Sequence, residues 1–147
     1  MSNNNFIYDV KFGKIYETKA LNKIIDKYKY IIVKISDGYQ PKYDFKLVTK
    51  DKKMIRYEVK TTQMAYSTIF IEFTNKNDKP SGISLSTAKY YIFVDVSNND
   101  EQYYLIKTSL LKQLIEKHLI KISPNKYKNS WGYIIDKNIV IASSIIL

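Results

Sequence analysis

The sequence has no cysteine, one histidine (His118) and one arginine (Arg56). Without cysteine there is no disulfide, no thiolate metal site and no thiol nucleophile. That lack is consistent with a reducing compartment. A lone histidine excludes metal centres built on several imidazoles and enzymes that need a histidine pair. Any metal must then be held by oxygen ligands, which favours magnesium, manganese or calcium. Proline and glycine are scarce, at three and four residues, and no linker rich in them divides the chain. No apolar run approaches the ~20 residues needed to span a bilayer. The polar stretch Met1 to Asn5 has neither the basic start nor the apolar core of a signal peptide. Together these absences predict a soluble, intracellular (cytoplasmic) protein with no membrane partner.

What is present fits one compact domain over residues 1–147, with 45% apolar content and fourteen tyrosines. A chain of this size buries a core without covalent staples. The net charge of +10, from 24 basic and 14 acidic residues, suits a polyanionic partner such as nucleic acid. The abundance of lysine and asparagine over arginine is also what AT-rich codon usage produces, so charge alone supports that partner without identifying it.

Hydrophobic spacing predicts a helix over Phe12 to Tyr30, with Glu17 inside it. A short apolar run follows at Ile31 to Ile35, either a strand or the end of the helix, and then a turn from Ser36 to Pro41. Alternation predicts strands at Tyr43–Thr49 and Met54–Thr61, joined by the polar turn Lys50–Lys53 as a hairpin. A third strand is expected at Ser67–Phe73, a short helix at Ser84–Lys89, and strands at Tyr90–Val96 and Tyr103–Lys107. A helix at Thr108–His118 has Thr108 as its candidate cap. Trp131–Tyr133 and Ile139–Leu147 read as further strand material. The expected class is α/β or α+β with a mixed sheet.

The hairpin carries the chemistry. Side chains alternate across a strand, so Glu58 and Lys60 share one face while Ile55, Tyr57 and Val59 take the apolar other. Asp44, Lys46 and Val48 likewise oppose Phe45 and Leu47. Folding the hairpin about Asp51 sets Phe45 opposite Tyr57, Leu47 opposite Ile55 and Asp44 opposite Glu58. Opposed β-carbons lie about 4.5–5.5 Å apart. Two carboxylates at that distance repel unless a cation sits between them, and a divalent ion is the natural candidate. Lys60 lies one step further along the same face. Such a centre suits phosphodiester hydrolysis, because the metal activates water and polarises the phosphoryl group while the lysine stabilises developing charge. The competing reading is a solvated hairpin face with incidental carboxylates, and the register decides between them.

Asp44…Glu58-Val59-Lys60 resembles the signature of the PD-(D/E)XK, or restriction-endonuclease-like, nuclease superfamily. Pro41 stands three residues before Asp44, where the family often has proline adjacent. The resemblance covers most of the chain, since the predicted elements over residues 12–96 follow the family's order. It implies a mixed central sheet with an αβββαβ core flanked by helices. It further implies Asp44, Glu58 and the Val59 carbonyl as ligands of Mg²⁺ (or Mn²⁺), Lys60 as the catalytic lysine, and Glu17 as the acidic residue on the first helix that completes the site. For Glu17 an ordinary solvated helix position is the alternative.

Other positions are read on the same frame. Glu72 faces away from Ile69, Ile71 and Phe73, and either assists near Lys60 or sits at the rim. The stretch Lys79, Ser81, Gly82, Ser84, Ser86 and Lys89 precedes and enters the expected short helix, and is expected to contact the nucleic-acid backbone through hydroxyls and free amides. Simple capping is the alternative there. Gln63 is a weak candidate for supporting Lys60, and His118 is given no catalytic part. The implied function is a Mg²⁺-dependent DNA endonuclease, structure-selective in the manner of a Holliday-junction resolvase and acting as a homodimer. The alternatives are a homing or restriction-type endonuclease, an exonuclease, and a non-catalytic nucleic-acid-binding module; RNA remains open as a substrate.

Overall fold

A computed structural model describes residues 3–29, 42–62, 67–75, 77–97, 99–118, 120–121 and 130–147. The expected apolar run at 31–35, the turn at 36–41 with Pro41, and Gln63 lie outside those residues. The described chain runs α1 (Asn3–Tyr28), β1 (Phe45–Val48), β2 (Met54–Thr62), β3 (Thr68–Thr74), a single 3₁₀ turn (Gly82–Ser84), β4 (Tyr90–Asp95), β5 (Gln102–Lys107), α2 (Thr108–His118), β6 (Ile120–Lys121), β7 (Trp131–Asp136), α3 (Lys137–Ala142) and β8 (Ile145–Ile146).

Two sheets form. A five-stranded mixed sheet has the order β1-β2-β4-β5-β8, and a three-stranded sheet has the order β3-β7-β6. The mixed α+β class is as expected. In the large sheet β1 and β2 are antiparallel, β2 and β4 are parallel, and β4 and β5 are antiparallel. A parallel pair requires a crossover rather than a tight turn. Here β3 and the 3₁₀ turn lie within that crossover.

The sequence explains why β4 is central. Tyr91, Ile92, Phe93 and Val94 are all buried, because both faces of the strand are covered and alternation gives way to a continuous apolar run. Ile92 and Val94 enter one core with Phe45, Leu47, Tyr57, Val59 and the α1 residues Ala20, Leu21 and Ile24. Tyr91 and Phe93 enter the other with Ile69 and Ile71 of β3, Leu111 and Ile115 of α2, and Val140 of α3. α1 thus covers one face of the large sheet, and the small sheet with α2 covers the other. The Thr108 hydroxyl, expected as a cap, instead donates to the Ala88 carbonyl at 2.7 Å and ties α2 to the segment entering β4.

Three expectations change. The third strand of the expected αβββαβ core lies outside the large sheet: β3 pairs with β7 and not with β2. The short helix expected at Ser84–Lys89 is only the 3₁₀ turn at Gly82–Ser84. There the chain must pass close to Glu72, with Gly82 at φ +52° and a built β-carbon 2.2 Å from the Glu72 carbonyl oxygen, so an α-helical start is not formed. The tail from Ile139 begins in α3, which runs to Ala142 and is capped by Asp136 accepting from the Asn138 amide at 2.7 Å, and only Ile145–Ile146 of it is strand.

Candidate active site

The hairpin register is the one that the apolar pattern predicts. Phe45 faces Tyr57 and Leu47 faces Ile55, with the two rings of the first pair stacked 4.9 Å apart. The ladder stops at Phe45. Asp44 lies just before it, and its N–H donates to the Tyr57 carbonyl at 2.8 Å. Its carboxylate Oδ2 accepts from the Val59 N–H at 2.7 Å. Asp44 is therefore pinned to the β2 backbone beside Glu58, rather than simply opposed to it across the ladder. In an extended strand a residue's N–H and C=O point to the same edge, so the Val59 carbonyl faces the Asp44 side too.

Glu58 is buried, with 8% of its surface exposed, and its carboxylate meets Lys60 Nζ at 3.2 Å. Lys60 is more open, with 45% of its side chain exposed. Glu17 sits one helical turn before Ala20 and Leu21, the α1 residues that pack on the sheet. Its charge is felt by both Asp44 and Glu58. The fold therefore groups Asp44, Glu58 and Lys60 at the hairpin, with Glu17 near enough on α1 to feel the acids electrostatically. Among the described residues Glu17 does not join Asp44 and Glu58 in a three-acid metal group, so the expectation that it completes a metal site is not met.

The electrostatics follow from crowding acids in a partly dry site. Burial first, and then the Asp44 carboxylate, push Glu17 up to about 7, against the pull of Lys14 and Lys60. Burial likewise pushes Glu58 up to about 7; Lys60 opposes this, and Asp44 and Glu17 reinforce it. Asp44 is raised by burial, with the Val59 amide and Lys60 working the other way. Burial disfavours the Lys60 charge, but Glu58, Asp44 and Glu72 outweigh it, so the ammonium is held above its ordinary range. The site keeps a cation and hesitates to carry three anions.

That imbalance bears on a metal. Asp44, Glu58 and the Val59 carbonyl form an oxygen-only donor set suited to a hard divalent ion, and the two carboxyls are pushed up chiefly because burial disfavours their charged forms, a cost that a bound cation would offset. Among the described residues no three acidic or histidine side chains converge as a complete metal cage. The donor set fits a metal that keeps several water ligands, as magnesium does.

In the segment expected to contact phosphate, the Ser81 and Ser86 hydroxyls are engaged within the protein. Ser81 Oγ donates to Glu72 Oε1 at 2.9 Å. Ser86 Oγ donates to the Lys42 carbonyl at 3.1 Å and accepts from the Ala88 amide at 3.1 Å. Thr87 N also donates to the Lys42 carbonyl at 2.8 Å. Ser81 thus ties the crossover to β3, and Ser86 ties it to the residues leading into Asp44; the alternative of simple helix capping is not what forms, since Ser81 makes no side-chain cap bond to the 3₁₀ turn. Gly82 supplies a left-handed backbone position. Lys79, Ser84 and Lys89 are exposed, with Lys89 Nζ 5.8 Å from the Tyr90 ring centroid. Glu72 lies near enough to influence Lys60. His118 ends α2 on the surface.

Tyr91 was not legible as a site residue. It pairs in register with Glu58 across the parallel β2–β4 ladder, and its hydroxyl is buried without a hydrogen-bond partner. Burial, and then the Glu58 charge, hold its pKa well above that of an ordinary phenol, with Asp44 and Glu72 adding to this. Ser86 approaches and pulls the other way, but the two hydroxyls do not meet hydrogen-bond geometry. In the sequence Tyr91 is one more apolar residue of a core strand, and only the non-local register reveals it.

No protein-family model, curated protein or solved structure matches the chain. No helix among the described residues is long and apolar enough to cross a membrane.

Proposed function

We propose that this chain is a metal-dependent nuclease that hydrolyses phosphodiester bonds in DNA. The observation that carries the reading is the grouping of Asp44, Glu58 and Lys60 at the β1–β2 hairpin. The first is anchored on the Val59 amide at 2.7 Å, and the second is paired with the third at 3.2 Å. Asp44, Glu58 and the Val59 carbonyl would hold Mg²⁺ or Mn²⁺, with Glu17 beside them. The ion would supply Lewis acidity toward a phosphoryl oxygen and an activated water.

The chain's own groups account for the rest. Lys60 stays protonated and half open, so it presents a fixed positive charge to a phosphate that approaches the hairpin face. The Val59 N–H holds the Asp44 carboxylate in one orientation. The net charge of +10 favours approach of a polyanion. The restriction-endonuclease-like fold belongs to the same proposal. It is supported by a helix preceding an antiparallel pair that carries the aspartate and the Glu-x-Lys, followed by a parallel neighbour strand. In its finer form the enzyme is structure-selective and works as a homodimer, because cutting both strands of a branched duplex takes two active sites.

The test is a cleavage panel in Mg²⁺ and Mn²⁺ on duplex, single-stranded and branched DNA and on RNA, with wild type beside Asp44→Asn and Lys60→Ala. Metal-dependent cleavage that disappears in both variants supports the reading. Equal activity in all three proteins assigns the cleavage to a contaminant and sinks it.

A further inference from the structure

The hairpin face that carries Glu58 and Lys60 continues to Arg56, two residues before Glu58 on β2 and so on the same side of the sheet. Lys46, on the edge strand β1, is the register partner of Arg56. Two cations thus oppose each other across the ladder, next to the two carboxylates. Directly opposed β-carbons lie about 4.5–5.5 Å apart, and like charges placed there are destabilising. Among the described residues the salt bridges are Lys19–Glu101 and Lys60–Glu58, so no carboxylate there neutralises the pair. An anion from outside would. Arg56 is also held in place. Its guanidinium carbon lies 5.4 Å from the Tyr43 ring centroid, a cation–π contact. Its backbone is fixed on both sides, by the pairing with β1 and by the Lys89 N–H, which donates to the Arg56 carbonyl at 2.9 Å. Nε is covered and has no hydrogen-bond partner, while Arg56 as a whole is half-buried, as Lys46 is. An approaching anion therefore meets the outer amino groups of the guanidinium, which form a planar fork suited to phosphate oxygens.

We propose that Arg56 and Lys46 together hold a backbone phosphate that flanks the scissile one, so that a DNA strand lies along the hairpin from Lys60, past Asp44 and Glu58, to Arg56. The ligand is the phosphodiester backbone, held without regard to base, because phosphate contacts fix register and carry no sequence information. The spacing suits it. Two residues of a strand advance about 6.4–6.8 Å, close to the rise of two nucleotides at ~3.4 Å each. An ion at Glu58 and a cationic fork at Arg56 thus address nearby phosphates of one strand. The assignment rests on the nuclease reading for which phosphate is cut, but the anchor itself is tested without catalysis.

The probe is a fluorescently labelled single-stranded DNA oligonucleotide, titrated in EDTA and followed by anisotropy at several salt concentrations, with a duplex of the same sequence in parallel. Wild type stands beside Arg56→Gln, Arg56→Lys, Lys46→Gln and Lys117→Gln, the last at an exposed lysine in the final turn of α2. Losing one phosphate contact lowers the slope of log K against log salt by about 0.7 on single strands and about 0.9 on duplex. Arg56→Gln and Lys46→Gln are expected to show that change, with binding weakened about five- to tenfold at ~0.1 M salt. Arg56→Lys keeps the charge and loses the fork, so it keeps the slope and binds about threefold less tightly. Lys117→Gln leaves affinity and slope as in wild type. Thermal melting reports the folding of each variant, and Lys46→Gln, on the edge strand, reads the same anchor where Arg56→Gln does not fold. The proposal is overturned, even if DNA is cut, by no binding in wild type, by wild-type affinity and slope in Arg56→Gln or Lys46→Gln, or by an equal loss in Lys117→Gln. Arg56-dependent binding with no metal-dependent cleavage of any substrate keeps the anchor and removes the nuclease reading.

Discussion

Glu58→Gln should make the metal-free protein more stable at alkaline pH while abolishing its proposed activity. Glu58 titrates at about 7 in the fold, against 4.5 for an ordinary glutamate, chiefly because it is buried. A folded pKa above the unfolded one means that the folded state binds the extra proton. The stability linked to that proton is fully present below about 4.5 and is lost as pH rises through about 7. The shift is worth up to about 3 kcal/mol at ~1.4 kcal/mol per unit. Glutamine has no charge to desolvate and removes this penalty. It also removes the negative charge that Lys60 meets at 3.2 Å and leaves an amide oxygen as acceptor, and because the lysine side chain is 45% exposed, water takes up much of the loss. A net gain of about 1–2 kcal/mol at about pH 8 remains, which for a domain of this size raises the Tm by roughly 2–8 °C. The assay is thermal or urea denaturation in EDTA at several pH values, wild type against Glu58→Gln. The gain should shrink toward zero at about pH 5, where the wild-type carboxyl keeps its proton. A variant less stable than wild type at about pH 8, or a difference that does not change with pH, would refute the claim that ionised Glu58 is a strained buried charge.

Other outcomes follow from the same geometry. Mg²⁺ should raise the wild-type Tm more at about pH 8 than at about pH 5, because protons compete for Asp44 and Glu58; scanning calorimetry with and without EDTA at both pH values checks it, and equal shifts would argue against an acidic metal site. Lys60→Ala should cost under ~1 kcal/mol of stability yet lower cleavage by about 10²–10³-fold, as read by urea titration and single-turnover kinetics. Gly82→Ala should destabilise by at least about 2 kcal/mol, since φ is +52° and the added carbon would meet the Glu72 carbonyl oxygen at 2.2 Å; a neutral urea midpoint would mean that the crossover relaxes. Leu111→Ala, at a fully buried position of the second core, should cost about 2–5 kcal/mol without changing metal affinity.

Local chemistry made the hairpin readable. Phe45, Leu47, Ile55 and Tyr57 alternate with polar residues, and a register that buries all four is the one that the ladder adopts. That register brings Asp44 to the Glu58 stretch of β2, and the two-residue step from Glu58 to Lys60 fixes their common face. Glu17 was reached through the family resemblance rather than through local pattern; the structure places it on the α1 stripe with Ala20, Leu21 and Ile24, which turns it toward the sheet.

The misread parts depend on contacts between distant segments. Thr68–Thr74 alternates like any sheet strand, and nothing in those residues tells it to pair with Trp131–Asp136 rather than with β2. Its partner is chosen by which apolar faces must be covered once Tyr91 and Phe93 are exposed on the far side of β4. The tail beginning at Ile139 is apolar enough for either strand or helix, and the Asp136 cap on Asn138 tips it to helix.

The sequence by itself determined the two-residue alternation of the hairpin, the helical stripe that carries Glu17, the oxygen-only inventory for any metal, and the excess of positive charge. All of these are properties of neighbours along the chain or of composition. The tertiary structure alone decided that β3 would leave the large sheet, that Gly82 would be pressed against the Glu72 backbone, and that Tyr91 would stand beside Glu58 with its hydroxyl unpaired. Parallel pairing and sheet-on-sheet packing join residues tens of positions apart, and their energy comes from faces buried together rather than from any local preference.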